Sequence, residues 1–320
     1  MDARQDGALL EVLPYAGRTH PGCIPEPETE TGMKHAFLIL AHHEFGLLQT
    51  LIGCLDDVRN DIYVHIDRKA GSLPELHAER AGMHVLRNRV DVRWGDYSVV
   101  EAEFVLFGAA LENGPYAYYH LLSGVDLPIK SQDYIHRFFE EHQGKEFIGY
   151  TLTHITPEIE RKVRRWHLFP GDFKNQSAVK HFLRTYCIHL QEILGIRRNR
   201  RIDFKKGSQW VSVTEAMVRC FLDHRAWARK VFRHTFCSDE IIFQTLCWES
   251  PMRDCLYDTA RDGIGCMRNV GWKEKNGTWE LADWTAEDYA SLASDGALFA
   301  RKFNSSDPDF IQRIVALAKP

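Results

Sequence analysis

The chain has 320 residues, 44% of them hydrophobic and 26% charged, a balance that excludes a disordered or fibrous protein and allows a sizeable buried core. With 40 Lys and Arg against 44 Asp and Glu the formal charge is -4, so no overall basic field gathers nucleic acid. No apolar run approaches the roughly 20 residues a membrane-spanning helix needs, and the first residues lack the basic-then-apolar order of a secretory signal, which argues for the cytoplasm. The eight cysteines form no CxxC pair and no Cys/His cluster with zinc spacing; most read as reduced core residues.

Residues 1–32 are rich in Pro, Gly, Thr and Glu without sustained periodicity and read as an extension, leaving 33–320 as one α/β domain. The apolar run 34–41 predicts a strand, 47–58 an amphipathic helix, and DIYVHID a period-two strand ending in Asp67. Ser98 with Glu101 is a capping-box pattern opening a helix through 111, and 116–122 reads as a buried strand feeding the loop SGVDLPIKS. Ser131 caps a further helix through 142, and 146–150 makes a short strand. The segment 155–206 is richer in Arg and Lys and less regular, with helical spacing over 179–194; it reads as a substrate-facing insertion, the plainer alternative being a solvated basic surface. Beyond it come a strand at 210–213, helices opening at Thr214 and at Ser238-Asp239-Glu240, and a last helix started by Ser306-Asp307-Pro308. The alternation of strand and helix predicts a mainly parallel, Rossmann-like sheet flanked by helices.

In open α/β sheets ligands settle beyond the carboxyl ends of the strands, which directs attention to Ala41-His42-His43, to Asp67 and to Gly124-Val125-Asp126. A carboxylate at Asp67 suits the N–H and O–H groups of a nucleoside, though a solvated loop residue is the plainer reading. The chain lacks GxGxxG opening a helix, GxxxxGK[ST], HExxH and GxSxG, and its only DxD, Asp307-Pro308-Asp309, opens the last predicted helix as a cap. A diphosphate would therefore need another source of positive charge. Arg268, Arg301 and Lys302 are candidates, although ARKF taken alone reads as a helix end with two solvated cations. Glu240, placed by the pattern in a first helical turn, is a carboxylate suited to general-base work or simply to starting that helix.

In their order along the chain, ILAHHEFGLLQTLI, IYVHIDRKA, VRWGDYSVVEAE, YYHLLSGVDLPIKS, GSQWVSVT, SDEIIFQTL, MRNVGW and LFARKF resemble the core-2/I-branching β-1,6-N-acetylglucosaminyltransferases, a family that includes the peptide O-xylosyltransferases. The resemblance runs from about residue 33 to 303. It implies a GT-A type α/β fold and inverting transfer of a sugar from a UDP donor, with no metal and no other cofactor. By the same resemblance Glu240 is the catalytic base. Arg268 and Lys302, with Arg301 beside them, bind the donor diphosphate; Ala41, His42, Asp67, Trp94 and Ser98 line the donor side; and Asp126, Gln209 and Trp210 lie towards the acceptor. The tripeptide Cys237-Ser238-Asp239 stands where Pro-Asp is usual, and Gly271 where bacterial relatives carry an acid. The implied partners are a UDP-sugar and a glycan, glycolipid or peptide acceptor. N-acetylglucosamine is the first choice of sugar, with xylose and an inactive carbohydrate-binding protein as alternatives. The lack of an anchor or stem fits a bacterial cytoplasmic enzyme. The basic middle segment leaves room for peripheral membrane attachment, but no amphipathic membrane helix is evident in it.

Overall fold

A computed structural model describes residues 34–319 except 154, 175, 176 and 276; the extension 1–32 lies outside the described residues. The elements run β1 (His35–Ala41), α1 (Phe45–Leu55), β2 (Asn60–Ile66), β3 (Gly82–Val85), α2 (Ser98–Asn113), β4 (Tyr118–Ser123), β5 (Leu127–Pro128), α3 (Gln132–Glu141), β6 (Phe147–Tyr150), α4 (Ile155–Lys162) and α5 (Ala178–Ile193). Then come β7 (Gly207–Val213), α6 (Glu215–Asp223), α7 (Arg225–Phe232), α8 (Ile242–Trp248), β8 (Arg268–Val270), β9 (Trp272–Lys275), β10 (Thr278–Leu281), α9 (Tyr289–Ser294), β11 (Phe299–Arg301) and α10 (Pro308–Leu317).

Strands β1 and β2 are apolar on both faces because both faces are covered. Phe37 and Ile39 point into one core with Leu51, Val64, Leu122, Phe139 and Phe299, while Ala36 and Leu38 point into another with Tyr63, Phe107, Leu121, Val211 and Phe243. The sheet between these cores has the order β3-β2-β1-β4-β7-β6. The first four strands are parallel; β7 runs antiparallel to β4, and β6 antiparallel to β7. This is the mixed α/β architecture of a GT-A type domain. It is not a single sheet, however: β5-β11-β8 form a three-stranded sheet, and β9 and β10 a separate hairpin.

The capping residues Ser131, Thr214 and Asp307 each accept the backbone N–H three positions on, at 3.3, 3.4 and 2.9 Å. Ser98 corrects its prediction. The helix starts there, but its hydroxyl accepts the Arg93 N–H at 2.9 Å and so ties down the preceding loop, while Glu101 pairs with Arg229 at 3.0 Å. LFARKF is likewise no helix end, since residues 299–301 form β11, paired with β5 and β8.

The topology brings the carboxyl ends of β1, β2, β4 and β6 to the edge where β7 begins. Gly124 is required at that edge, because a Cβ there would sit 2.8 Å from Cβ of Ala41.

Candidate active site

The deepest part of this edge is acidic. Cys237 adopts a left-handed conformation (φ 50°), and Ser238–Glu240 form a 3-10 turn before α8 begins at Ile242. Glu240 therefore does not occupy the first turn of an α-helix, as its sequence pattern predicts, and positive charge reaches it from lysines. Lys162, at the end of α4, approaches Oε2 of Glu240 at 2.7 Å and Oε1 of Glu158 at 2.8 Å; Lys206, just before β7, lies 3.6 Å from Glu240 and 3.4 Å from Glu158. Lys162 is nearly buried, and burial disfavours its charge, but the two carboxylates outweigh that and raise its pKa.

Behind Glu240 stand two buried acids. Burial, reinforced by the adjacent Glu240, pushes Asp239 up to about 7, and burial with Asp239 nearby pushes Glu103 well above the usual carboxylate range. Oδ1 of Asp239 and Oε2 of Glu103 lack hydrogen-bond partners, an arrangement tolerable for a protonated carboxyl and costly for an ionised one. Gln209, on β7, donates to Oε1 of Glu103 at 2.7 Å. Its neighbour Trp210 is buried, with the Arg301 guanidinium 4.4 Å from its ring centre.

The loop before α2 closes over the same turn. The carbonyl of Gly95 accepts the Cys237 N–H at 2.9 Å, and Phe236 packs edge-on against Trp94 with ring centres 5.5 Å apart. Gly95 has φ +76°, and a Cβ on it would fall 2.6 Å from the Phe236 ring, so glycine is needed there. Trp94 is exposed, with Lys174 over its ring at 5.2 Å. Charged groups around His42 include Asp67, Lys69 and Lys174, which places Ala41, His42 and Asp67 on the same side as Trp94. The Asp67 carboxylate accepts the backbone N–H of Lys69 at 2.9 Å and its ammonium at 2.9 Å.

The remaining basic candidates divide. Arg301 extends from β11 and donates through Nε to Asp126 at 3.1 Å. Asp126 is fully enclosed and also accepts from the backbone and hydroxyl of Ser123, at 3.0 and 2.5 Å, so it holds Arg301 and offers no surface to an acceptor. Arg268 is buried as well. Its Nη groups donate to the carbonyls of Cys266 and Val211, the latter at 2.8 Å, and burial lowers its pKa to about 10. Lys302 is partly exposed and pairs with Asp283 at 3.3 Å. The fold thus joins Glu240, Trp94, Gln209, Trp210 and Arg301 through a continuous set of contacts, and places Lys302 at its margin.

Sequence reasoning missed Lys162, Lys206, Glu158, Asp239 and Glu103. Glu103 was detectable as an acid on the largely apolar buried face of α2; Lys162 lies 78 positions from Glu240, inside a run that reads as a solvated surface. Among the described residues no three His, Cys, Asp or Glu side chains converge in a group that could hold a metal ion. No helix among them is long and apolar enough to cross a membrane.

The six-stranded, mostly parallel sheet flanked by helices has the architecture of a GT-A type domain. The chain is a member of the core-2/I-branching enzyme family, whose family model matches residues 35–305. It is accordingly a glycosyltransferase that takes a nucleotide-sugar donor and a glycan acceptor. The search of curated proteins gives no match.

Proposed function

We propose that the enzyme transfers a sugar, N-acetylglucosamine first, from UDP to an acceptor hydroxyl with inversion and without a metal ion, in bacterial surface polysaccharide or glycolipid synthesis. The observation that carries this reading is the Glu240–Lys162 contact of 2.7 Å at the carboxyl edge of the sheet. Lys162 and Lys206 both reach Oε2, which fixes the carboxylate and leaves Oε1 to take the proton as the acceptor oxygen attacks the anomeric carbon. The bond to the diphosphate breaks on the opposite face. Charge builds on that leaving group, where Arg301 and Lys302 stabilise it and Arg268 braces the strand that carries them. Ala41, His42, Asp67, Trp94 and Ser98 form the donor side in this reading, and Gln209 and Trp210 the acceptor side. The metal-free form is favoured by the strand-end carboxylates: Asp67 is already held by Lys69 and Asp126 by Arg301.

Thermal shift with UDP, UDP-N-acetylglucosamine, UDP-xylose and UDP-glucuronic acid, in EDTA and in Mn²⁺, tests the donor, since a ligand that binds the folded state raises the melting temperature. Stabilisation in EDTA is expected; stabilisation that requires Mn²⁺ would overturn the metal-free mechanism, and a preference for UDP-xylose would reassign the sugar. Glu240→Gln should leave that shift intact and slow turnover by roughly 10²-fold or more. Near-normal turnover in this variant would remove Glu240 from its role.

A further inference from the structure

A helix on the surface of a protein normally turns its apolar stripe inward and its polar stripe to water. Helix α5 does the reverse. Its buried residues are Arg184 and Gln191. Arg184 donates to the carbonyls of Leu168 and Phe169 at 3.2 and 3.3 Å and lies 3.9 Å over the Phe173 ring. Gln191 accepts the Trp166 N–H at 2.8 Å and donates to the Trp166 carbonyl at 3.0 Å. Outward, at intervals of three and four residues, the helix presents Val179, Phe182, Tyr186, Leu190 and Ile193, which are 67, 66, 58, 40 and 81% exposed. That is one continuous apolar stripe with polar groups anchoring the opposite side.

Charge identifies what covers it. From Lys174 to Arg201 the sequence holds seven Lys and Arg and a single acid, Glu192; Arg184 and Arg198 are buried, while Arg200 and Arg201 are exposed just beyond the end of the stripe. A second copy docked on the stripe by twofold symmetry would set this basic segment against an equally basic one. A bilayer surface with anionic headgroups neutralises them while its acyl region takes up the stripe. We propose that α5 and the arginines after it dock the enzyme on an anionic lipid surface. The helix stands beside the donor side of the site, because Asp172 binds Lys180 of α5 at 2.5 Å and approaches Arg93, next to Trp94, at 3.7 Å. Docking there holds the site at the membrane surface, where a lipid-linked acceptor would present its sugar.

The proposal stands apart from the choice of donor and base, and its test needs no turnover. The protein is sedimented with phosphatidylcholine vesicles and with vesicles containing about 30% phosphatidylglycerol, a charge density at which basic segments partition measurably. Wild type should bind the anionic vesicles and only weakly the neutral ones. Phe182→Glu with Ile193→Glu, and separately Arg200→Glu with Arg201→Glu, should each lower the partition coefficient by about tenfold or more, with circular dichroism melts unchanged because all four side chains are exposed. No binding of folded wild type, or equal binding by the variants, overturns the proposal. So does a dimer in light scattering that Phe182→Glu with Ile193→Glu dissolves in the absence of vesicle binding, which would give the stripe to a second copy.

Discussion

The central sheet and helix α5, in the insertion between residues 155 and 206, apply opposite rules to what goes inside. In the sheet, Phe37, Ile39, Val64, Leu122 and Phe147 are fully buried, and helices cover both faces. In the insertion the buried residues include Lys162, Arg184, Gln191 and Arg198, and the large apolar side chains of α5 face out. The sheet spends its interior on apolar burial, the dominant favourable term in folding. The insertion joins that core through Ile159, Val163 and Phe204 and adds hydrogen bonds and ion pairs that orient it against the site: Lys162 on Glu240, and Asp172 between Lys180 and Arg93. Apolar burial therefore dominates in the sheet, and positioning and outward contact around α5.

The comparison breaks most visibly if the two regions respond alike to loss of a phenyl ring. Phe243, enclosed by Phe104, Phe107 and Phe221, should cost about 3–5 kcal/mol on replacement by alanine, since both the transfer of the ring and the cavity left behind count. Phe182→Ala on the outward stripe should change stability by no more than about 0.5 kcal/mol. Urea unfolding of the two variants measures both. A large cost at Phe182 would mean that the stripe is packed against something in the isolated protein.

The next effect concerns the acids the sheet edge buries. Asp239 has a folded pKa of about 7, above its ordinary 3.8, so between these values the folded protein binds a proton that the unfolded chain has released. Its contribution to stability is greatest below the lower value and is lost as pH rises towards 7. Asp239→Asn removes that loss. The variant's advantage over wild type should grow by a few kcal/mol from pH 4 to pH 7 and then level off, which melts at a series of pH values will show. A constant difference would mean that Asp239 is ionised in the folded state throughout.

The sequence makes the sheet legible because the sheet obeys local rules. Continuous apolar runs give β1 and β4 and a period-two run gives β2, and Ser131, Thr214 and Asp307 cap the helices that their positions predict. The candidate site is legible from local pattern only where a side chain lies within such an element, as Trp210 does; Arg301, in a segment that taken alone reads as a helix end, is placed by resemblance. Ser98 and Glu240 show the limit: each lies near a helix start, yet the Ser98 hydroxyl goes to the Arg93 N–H and the Cys237 backbone turns left-handed, so neither performs the expected local task. Lys162 and the stripe of α5 were illegible for a different reason. Periodicity reveals that a helix has two faces, but which face is covered depends on residues brought there by the fold, such as Trp166 and Leu168 beneath Gln191 and Arg184.

The smallest effect and the sharpest discriminator is Lys162→Met. Lys162 touches Glu240 and Glu158 and lies 5.6 Å from the Phe236 ring centre, so an unbranched apolar side chain of similar length fills its space. What the substitution removes is one positive charge, leaving only Lys206, at 3.6 Å, beside Glu240, the base we propose, which already adjoins a buried acid. A carboxylate so deprived is held less firmly towards the attacking acceptor oxygen. At the pH optimum the loss should be about tenfold, mostly in kcat, because the lysine orients the base and does not itself bind the donor. If Lys162 were merely an anchor for the insertion, the variant would lose stability with its kcat unmoved, and the link between the buried basic face of the insertion and the chemistry at the sheet edge would be gone.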